Sequence, residues 1–278
     1  MVQALRSGTD CPAWAQLQDL SKTLLATPTR DLYGQDPERF AHCCVEAVGL
    51  ALDFSRQRID ARVINAFASL ADQLSMRAHI EAMFRGDIIN TTEHRAVLHT
   101  ALRRASDTSL LVGNEDIGVL VHSERERMLR FAEDVRGGVI RSSGDRPFNL
   151  VVSIGIGGSD LGPAMAVEAL KQYTAASPRV AFASNVDGCQ LTDLLEHADP
   201  QRTLFIVCSK TFTTLETQSN AHIARAWILR HLGEKALPQH FAAVSTNQSA
   251  MDEFGVHPQY RFAMWVWVGV IFCLWCWL

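Results

Sequence analysis

Apolar residues follow two different spacings along this chain, and the change between them divides it. In the first half they recur at three and four residues, the period of a helix with one covered face. Asp36 stands as an N-cap before Pro37, and Phe40, Cys43, Ala47, Val48, Ala51 and Phe54 follow near helical spacing, which predicts one helix over this stretch. Val63, Phe67, Leu70 and Leu74 predict a second. Asn90-Thr91-Thr92-Glu93 has the form of a capping box ahead of Ala96, Val97, Thr100 and Leu102, which predicts a third. From His122 to Arg136 both charge signs surround Met128, Leu129 and Phe131, the pattern of a helix with a solvated face and no function assigned to it. Residues 1–145 therefore read as a helical N-terminal region.

The pattern breaks at Gly137-Gly138, and Ser142-Ser143-Gly144-Asp145-Arg146-Pro147 collects the residues of a connection between substructures. Beyond it, short apolar runs rich in Val, Ile and Phe take over: Leu150 to Ile156, Val180 to Ser184, Leu204 to Cys208 and Phe241 to Ser245. Between them lie the helical stretches Pro163 to Tyr173, Leu191 to His197 and Glu216 to Leu232. Strand and helix alternating at this rhythm are βαβ units, so residues 146–260 are expected to form an α/β domain, a three-layer parallel sheet covered by helices on both faces. Ligands of such sheets bind beyond the carboxyl ends of the strands, which directs attention to the loops that follow them.

Composition narrows the classes of function. The chain has 278 residues, 47% of them hydrophobic and 20% charged, which supports a packed core and excludes disorder or a disulfide mini-scaffold. Lys and Arg total 26 against 30 Asp and Glu, so no overall positive field gathers nucleic acid, and no local basic stripe replaces it. The seven cysteines are odd in number and sit mostly in apolar context, and Met1 to Asp10 lacks the apolar segment of a secretory signal; both features point to a reducing cytoplasm.

Two strand-to-helix corners carry the candidate chemistry. The first is Gly155-Ile156-Gly157-Gly158-Ser159-Asp160-Leu161-Gly162-Pro163, where glycines permit close backbone approach and a helix N-terminus favours an anion. As a dinucleotide fingerprint it fails, because Asp160 stands where the third glycine belongs. A tight turn without a ligand is the alternative. The second corner, Ser209-Lys210-Thr211-Phe212-Thr213-Thr214, sets four hydroxyls and one ammonium at a strand end. No glycine-rich stretch of P-loop form precedes Lys210, so nucleotide hydrolysis is disfavoured. Thr213 and Glu216 could equally form a capping box for the next helix. Together the two corners describe a sheet that holds a small phosphorylated molecule by its phosphate.

These residues also carry a resemblance. The two corners, extended to Thr217 in the second, resemble the hallmark loops of the glucose-6-phosphate isomerase family, which is built on sugar-isomerase (SIS) domains. Asn90 to His99, Ser184-Asn185-Val186-Asp187-Gly188, Ser245-Thr246-Asn247 and Phe254-Gly255-Val256 resemble other segments of that family in the same order, and the likeness runs from about Asp31 to Trp267. The resemblance implies an SIS-type fold and interconversion of glucose 6-phosphate and fructose 6-phosphate through an enediol. It implies that the substrate phosphate sits on Ser159, Ser209, Lys210, Thr211 and Thr214, with Gly157 and Gly158 giving close backbone approach. It also implies a homodimer with no cofactor and no metal. In the family the glutamate base, a ring-opening histidine and a lysine come from a second SIS domain further along, and the enediolate arginine corresponds to Ile271 here. The expectation is therefore a first SIS domain without its catalytic groups, inactive alone, with a non-catalytic sugar-phosphate-binding module as the alternative.

The end of the sequence departs from this pattern. Phe262 to Leu278 is a run of 17 residues without a charge, holding four of the six tryptophans. It is short of the roughly 20 apolar residues of a membrane span and has no basic flank, so 261–278 is read as an atypical apolar tail and membrane insertion is disfavoured. Cys273-Leu274-Trp275-Cys276 has redox spacing without the strand that would give it meaning, and His42, His79, His99, His122 and His222 lack the spacing of metal ligands.

Overall fold

The computed structural model describes residues 7–105, 108–173, 177–265 and 267. The chain divides into two compact units, residues 1–85 and 86–278. In the first, α1 (Pro12–Leu24), α2 (Thr29–Gln35) and α3 (Arg39–His42) lead into an antiparallel hairpin of β1 (Cys44–Ala47) and β2 (Leu50–Asp53), followed by α4 (Ala61–Gln73) and α5 (Met76–Arg85). Helix α4 covers the predicted second helix. Asp60 caps it by accepting from the N–H groups of Arg62 and Val63.

The helix expected from Asp36 to Phe54 is instead one turn and a hairpin. Val48 and Gly49 both adopt positive φ, 47° and 78°, the geometry of the tight turns that match strand twist. Glu46, Ala47 and all of β2 are exposed, so the apolar spacing read there as a helix face does not reflect a buried stripe. Beside the hairpin, Arg39 is buried. Its Nε donates to the Ser55 carbonyl at 2.7 Å and its Nη2 to the carbonyls of Gln57 and Ile59 at 2.7 and 2.8 Å, and its guanidinium lies over the Tyr33 ring. One planar cation thus satisfies three acceptors of an irregular segment that no ladder serves.

The second unit opens with irregular chain and a short hairpin, β3 (Leu111–Val112) and β4 (Glu115–Asp116). No helix starts at Asn90. Its side chain accepts from Glu93 N–H at 3.0 Å and donates to the Glu93 carboxylate at 2.7 Å, but the Asn90 N–H that a capping box would give to Glu93 bonds the Arg95 carbonyl, and this bridge with His94 at φ 49° closes the segment as a turn. Helix α6 (Ile117–Arg136) contains the predicted mixed-charge stretch, with Met128, Phe131 and Val135 buried against the sheet. Then follow β5 (Leu150–Ile154), α7 (Leu161–Ala169), β6 (Arg179–Ala183), α8 (Gly188–Glu196), β7 (Thr203–Cys208), α9 (Leu215–Leu232), α10 (Leu237–His240), β8 (Phe241–Ser245), α11 (Gln248–Phe254) and β9 (Arg261–Ala263).

These five strands form one parallel sheet in the order β6-β5-β7-β8-β9. Alternate residues of β5, β7 and β8 enter two cores. Val152, Ile154, Phe205, Val207, Phe241 and Ala243 pack with Leu191 of α8, Ile228 of α9, Leu237 of α10 and Met251 of α11, whereas Val151, Leu204, Ile206, Ala242 and Val244 pack with α6. This is the expected three-layer α/β architecture, and burial on both faces explains why the strands read as continuous apolar runs. Residues 261–263, assigned to the tail from sequence, are the fifth strand. In a parallel strand alternate residues turn their backbone groups outward, and here α6 meets them: the Glu124 carboxylate accepts from Ala263 N–H at 2.6 Å and Arg127 donates to the Arg261 carbonyl at 2.9 Å. Trp265 and Trp267 stack with centroids 4.9 Å apart and pack on Ala96, Leu98, Ile117 and Val121. Ile271, Cys273 and Cys276 lie outside the described residues. Among the described residues no helix is long and apolar enough to cross a membrane.

At the amino ends of the strands, His240 is wholly buried and edge-on to Phe148. The Thr203 carbonyl, 2.8 Å from Nδ1, only accepts, so Nδ1 carries the proton and Nε2 accepts from Ser143 N–H at 3.3 Å. Burial pushes this imidazole below its ordinary value, outweighing the Thr203 bond. The sign follows directly: the unfolded chain takes the proton more readily, so the His240 contribution is present above about pH 6.5 and is lost as the pH falls below it. Urea denaturation at pH 7.5 and 5.0 tests this, with the loss on acidification smaller in His240→Phe than in the wild type. In the first unit, Arg39→Met leaves the carbonyls of Ser55, Gln57 and Ile59 without their side-chain donor and is expected to cost about 3 kcal/mol by the same measurement.

Candidate functional site

The sheet order fixes where a site can form. The chain lays down β5, moves outward to β6 through α7, and returns across β5 to β7 through α8. The winding therefore reverses between β5 and β7, the switch point at which open parallel sheets part their loops and admit ligands. The two corners singled out from sequence are the loops that leave these two strands. Ile154 of β5 lies in register with Val207 of β7, so the loops begin side by side.

In the loop after β5, Gly155 to Asp160, the chain folds tightly on itself. A Cβ added to Gly155 would come within 2.8 Å of the Ser159 carbonyl oxygen, so only glycine fits. Gly157 is exposed at φ 57° and turns the chain into a short 3-10 segment, with Ser159 N–H donating to the Ile156 carbonyl at 3.2 Å. Ser159 is buried and Gly158 half-buried beneath the turn. Asp160 follows as the N-cap residue of α7 and is itself buried.

In the loop after β7, Ser209 is buried and anchored by its N–H on the Val244 carbonyl at 3.1 Å, and its hydroxyl lies 3.3 Å from that of Thr214. Two hydroxyls five residues apart are thus brought together. The turn between them depends on Phe212, which adopts φ 56°, a conformation unfavourable by about 1–2 kcal/mol for a residue with a Cβ. Its buried ring packs edge-on to Phe254 and holds it there. Thr213 does not cap α9: its hydroxyl donates to Thr211 Oγ1 at 2.7 Å, and the N-cap is Thr214, whose side chain makes no cap bond. The Thr213 hydroxyl, read as half of a capping box with Glu216, remains in the loop.

Two further segments meet this loop. After β8, Thr246 N–H and its hydroxyl donate to the Lys210 carbonyl at 3.0 and 2.7 Å, and Asn247 Nδ2 donates to the Thr211 carbonyl at 3.0 Å. From the turn at Asn90, the Glu93 carboxylate is held below its ordinary range by Arg95 first, with Asn90 and Lys210 adding to the effect. The loop after β6, Ser184 to Asp187, is tied by Gln190 Oε1, which accepts from Ser184 and Asn185 N–H at 3.0 Å, and by Asn220 of α9, which donates to the Asn185 carbonyl at 2.8 Å. Segments far apart in sequence, quoted above for one resemblance, thus follow four adjacent strands, β6, β5, β7 and β8.

The sequence reading passed over Asp160 and Asn220. Both are buried polar residues with one side-chain oxygen lacking a partner, Asp160 Oδ1 and Asn220 Oδ1, and Thr217 Oγ1 is a third such atom. Only for Asp160 was a signal available, an aspartate directly after the glycine turn. Chemically, the assembled loops offer hydroxyl and backbone donors and one ammonium, a set suited to a multiply charged oxyanion.

Comparison with known proteins agrees with this arrangement. The family model for phosphoglucose isomerase matches residues 53–278. The glucose-6-phosphate isomerase of Corynebacterium diphtheriae is 45% identical over 263 residues, covering 94% of this chain and 48% of that protein, and that of Methylococcus capsulatus is 43% identical over 268 residues, covering 96% and 49%. A crystal structure of a glucose-6-phosphate isomerase from Chlamydia trachomatis superposes with a TM-score of 0.76 at 28% identity, over 96% of this chain and 50% of that one. The chain spans about half the length of the relatives it matches. A family match over most of the sequence, joined to loops that leave neighbouring strands at the switch point of a five-stranded parallel sheet, makes this chain a member of the phosphoglucose isomerase family.

Proposed function

We propose that this chain provides the phosphate-holding part of a site for aldose–ketose isomerisation between glucose 6-phosphate and fructose 6-phosphate. The observation that supports this reading best is that the loops after β5 and β7 start from adjacent strand ends, the first carrying the buried Ser159 and the second the Ser209 and Thr214 hydroxyls 3.3 Å apart. In this reading Ser159, Ser209, Thr211 and Thr214 donate to the phosphate oxygens, Lys210 balances their charge, and Gly157 and Gly158 let the backbone approach. Hydroxyls and amides stay paired to the dianion throughout the reaction, so they contribute binding and orientation, not selective stabilisation of the enediolate. Proton transfer between carbons further requires a base within hydrogen-bond reach and a donor to the enediol oxygens, and the residues assigned to the phosphate supply neither. The same loops without turnover would make a sugar-phosphate-binding module, and an interconversion assay on the chain separates the two.

Isothermal titration is expected to give binding of glucose 6-phosphate and none of glucose at equal concentration. Ser209→Ala, losing a charge-assisted bond, should weaken it by about tenfold or more. Gly155→Ala drives a Cβ against the Ser159 backbone and is expected to cost about 1–3 kcal/mol in stability and to weaken binding as well, because the turn that carries Ser159 must move. Equal binding of glucose and its phosphate would refute the assignment.

A further inference from the structure

Asp160 behaves unlike other aspartates of this chain in the same position. Asp60, Asp116 and Asp187 each begin a helix and each accept from first-turn N–H groups: Arg62 and Val63, Gly118 and Val119, and Cys189. That is what an N-cap aspartate ordinarily does. The carboxyls of Asp116 and Asp187 are accordingly held below the usual aspartate range, the first by Ser109 and by the N–H groups of Val119, Leu110 and Gly118, the second by Cys189 N–H. Asp160, at the N-cap of the nine-residue α7, makes no cap bond. It is only 6% exposed, and its Oδ1 has no partner.

A buried carboxylate with one oxygen unpaired is costly, and a neutral carboxylic acid in the same place costs less. Burial pushes the Asp160 carboxyl above the usual range, against a smaller opposing effect of the Ser184 hydroxyl, and no charged side chain contributes. What acts on it is burial and the Ser184 hydroxyl from the loop after β6. The charged groups of the neighbouring segments, Lys210, Glu93 and Arg95, act on one another. Asp160 follows Ser159 directly, so its charge state sets the potential at the amino end of α7, the part of a helix that attracts anions.

We propose that Asp160 is a proton-dependent gate on this site: as a neutral acid it leaves the amino end of α7 open to an oxyanion, and as a carboxylate it puts its own charge there and excludes one. The gate rests on the reading of these loops as a phosphate site. The missing cap bond has a local cause, because Asp160 lies in the α-region and Pro163, the third residue of α7, has no N–H to offer; it leaves the Asp160 carboxyl unengaged with its own helix. By linkage, binding of a dianion and protonation of Asp160 favour one another by the same factor.

Sulfate is the suitable probe, because it remains a dianion over the range in which a phosphate ester itself titrates. Its affinity for the whole chain, measured calorimetrically at fixed ionic strength, should fall as the pH rises above the usual aspartate range, approaching tenfold per unit. Asp160→Asn, a neutral isostere of the acid, should bind sulfate with little dependence on pH. The same slope in wild type and variant overturns the gate and leaves the phosphate site standing. Absence of both sulfate and glucose 6-phosphate binding at every pH overturns the site and the gate together. If the variant does not fold, carboxyl 13C titration of the wild type decides: sulfate should raise the Asp160 midpoint, and an unmoved midpoint refutes the gate.

Discussion

The pairing of β5 with β7 is the constraint on which the rest of the second unit depends. The two strands are neighbours in the sheet although β6 lies between them in the chain. Parallel neighbours cannot be joined by a tight turn, so each must be reached through a crossover helix. The crossover from β5 leaves toward β6 and the one from β7 leaves toward β8, and their loops diverge from adjacent strand ends. The crevice between those loops is therefore a property of the winding, before any side chain is considered. Its width is set by strand spacing, about 4.8 Å between backbones at the base.

Side chains then convert the crevice into a site by stiffening its walls. Phe212 is held in a left-handed conformation by burial against Phe254, and Gly155 permits a turn that no Cβ would allow. Both walls lean on the core that includes α9 and α11, so the positions of Ser159 and Ser209 are inherited from packing around Phe205, Phe241 and Met251. The bonds from Thr246 and Asn247 to the loop after β7 extend the same support outward. A ligand entering here meets donors whose geometry is already fixed, which lowers the ordering cost of binding.

How much of this was legible from sequence depended on burial. Strands β5, β7 and β8 could be read because both faces are covered, so apolar character was continuous and interrupted only at their ends, whereas β6, partly exposed at the sheet edge, was legible from its short apolar run alone. Strand β9 could not: Arg261-Phe262-Ala263 is too short to show a pattern, and its place at the sheet edge is specified by α6 from far away in sequence. The segment from Asp36 to Phe54 was misread because a periodicity argument presumes that apolar residues are inside, whereas Phe40, Val45, Val48, Leu50 and Leu52 are exposed. Asn90 accepted from Glu93 N–H as expected, yet its own N–H went to Arg95 and closed a bridge where a helix was expected to grow. The hydroxyls of both loops were legible in the sequence and stand after adjacent strands, but that Asp160 makes no bond to its own helix is visible only in three dimensions.

The bonds from α6 to β9 carry a consequence for colloidal behaviour. An edge strand whose outward N–H and C=O groups are unpaired is a template on which another chain can add a strand. Here the outward N–H of Ala263 is taken by Glu124 and the outward carbonyl of Arg261 by Arg127, so helical side chains occupy the positions that a sixth strand would use. A buried carboxylate and its neighbouring guanidinium thus act as a plug on that border of the sheet, and growth by strand addition there must first evict a charged pair.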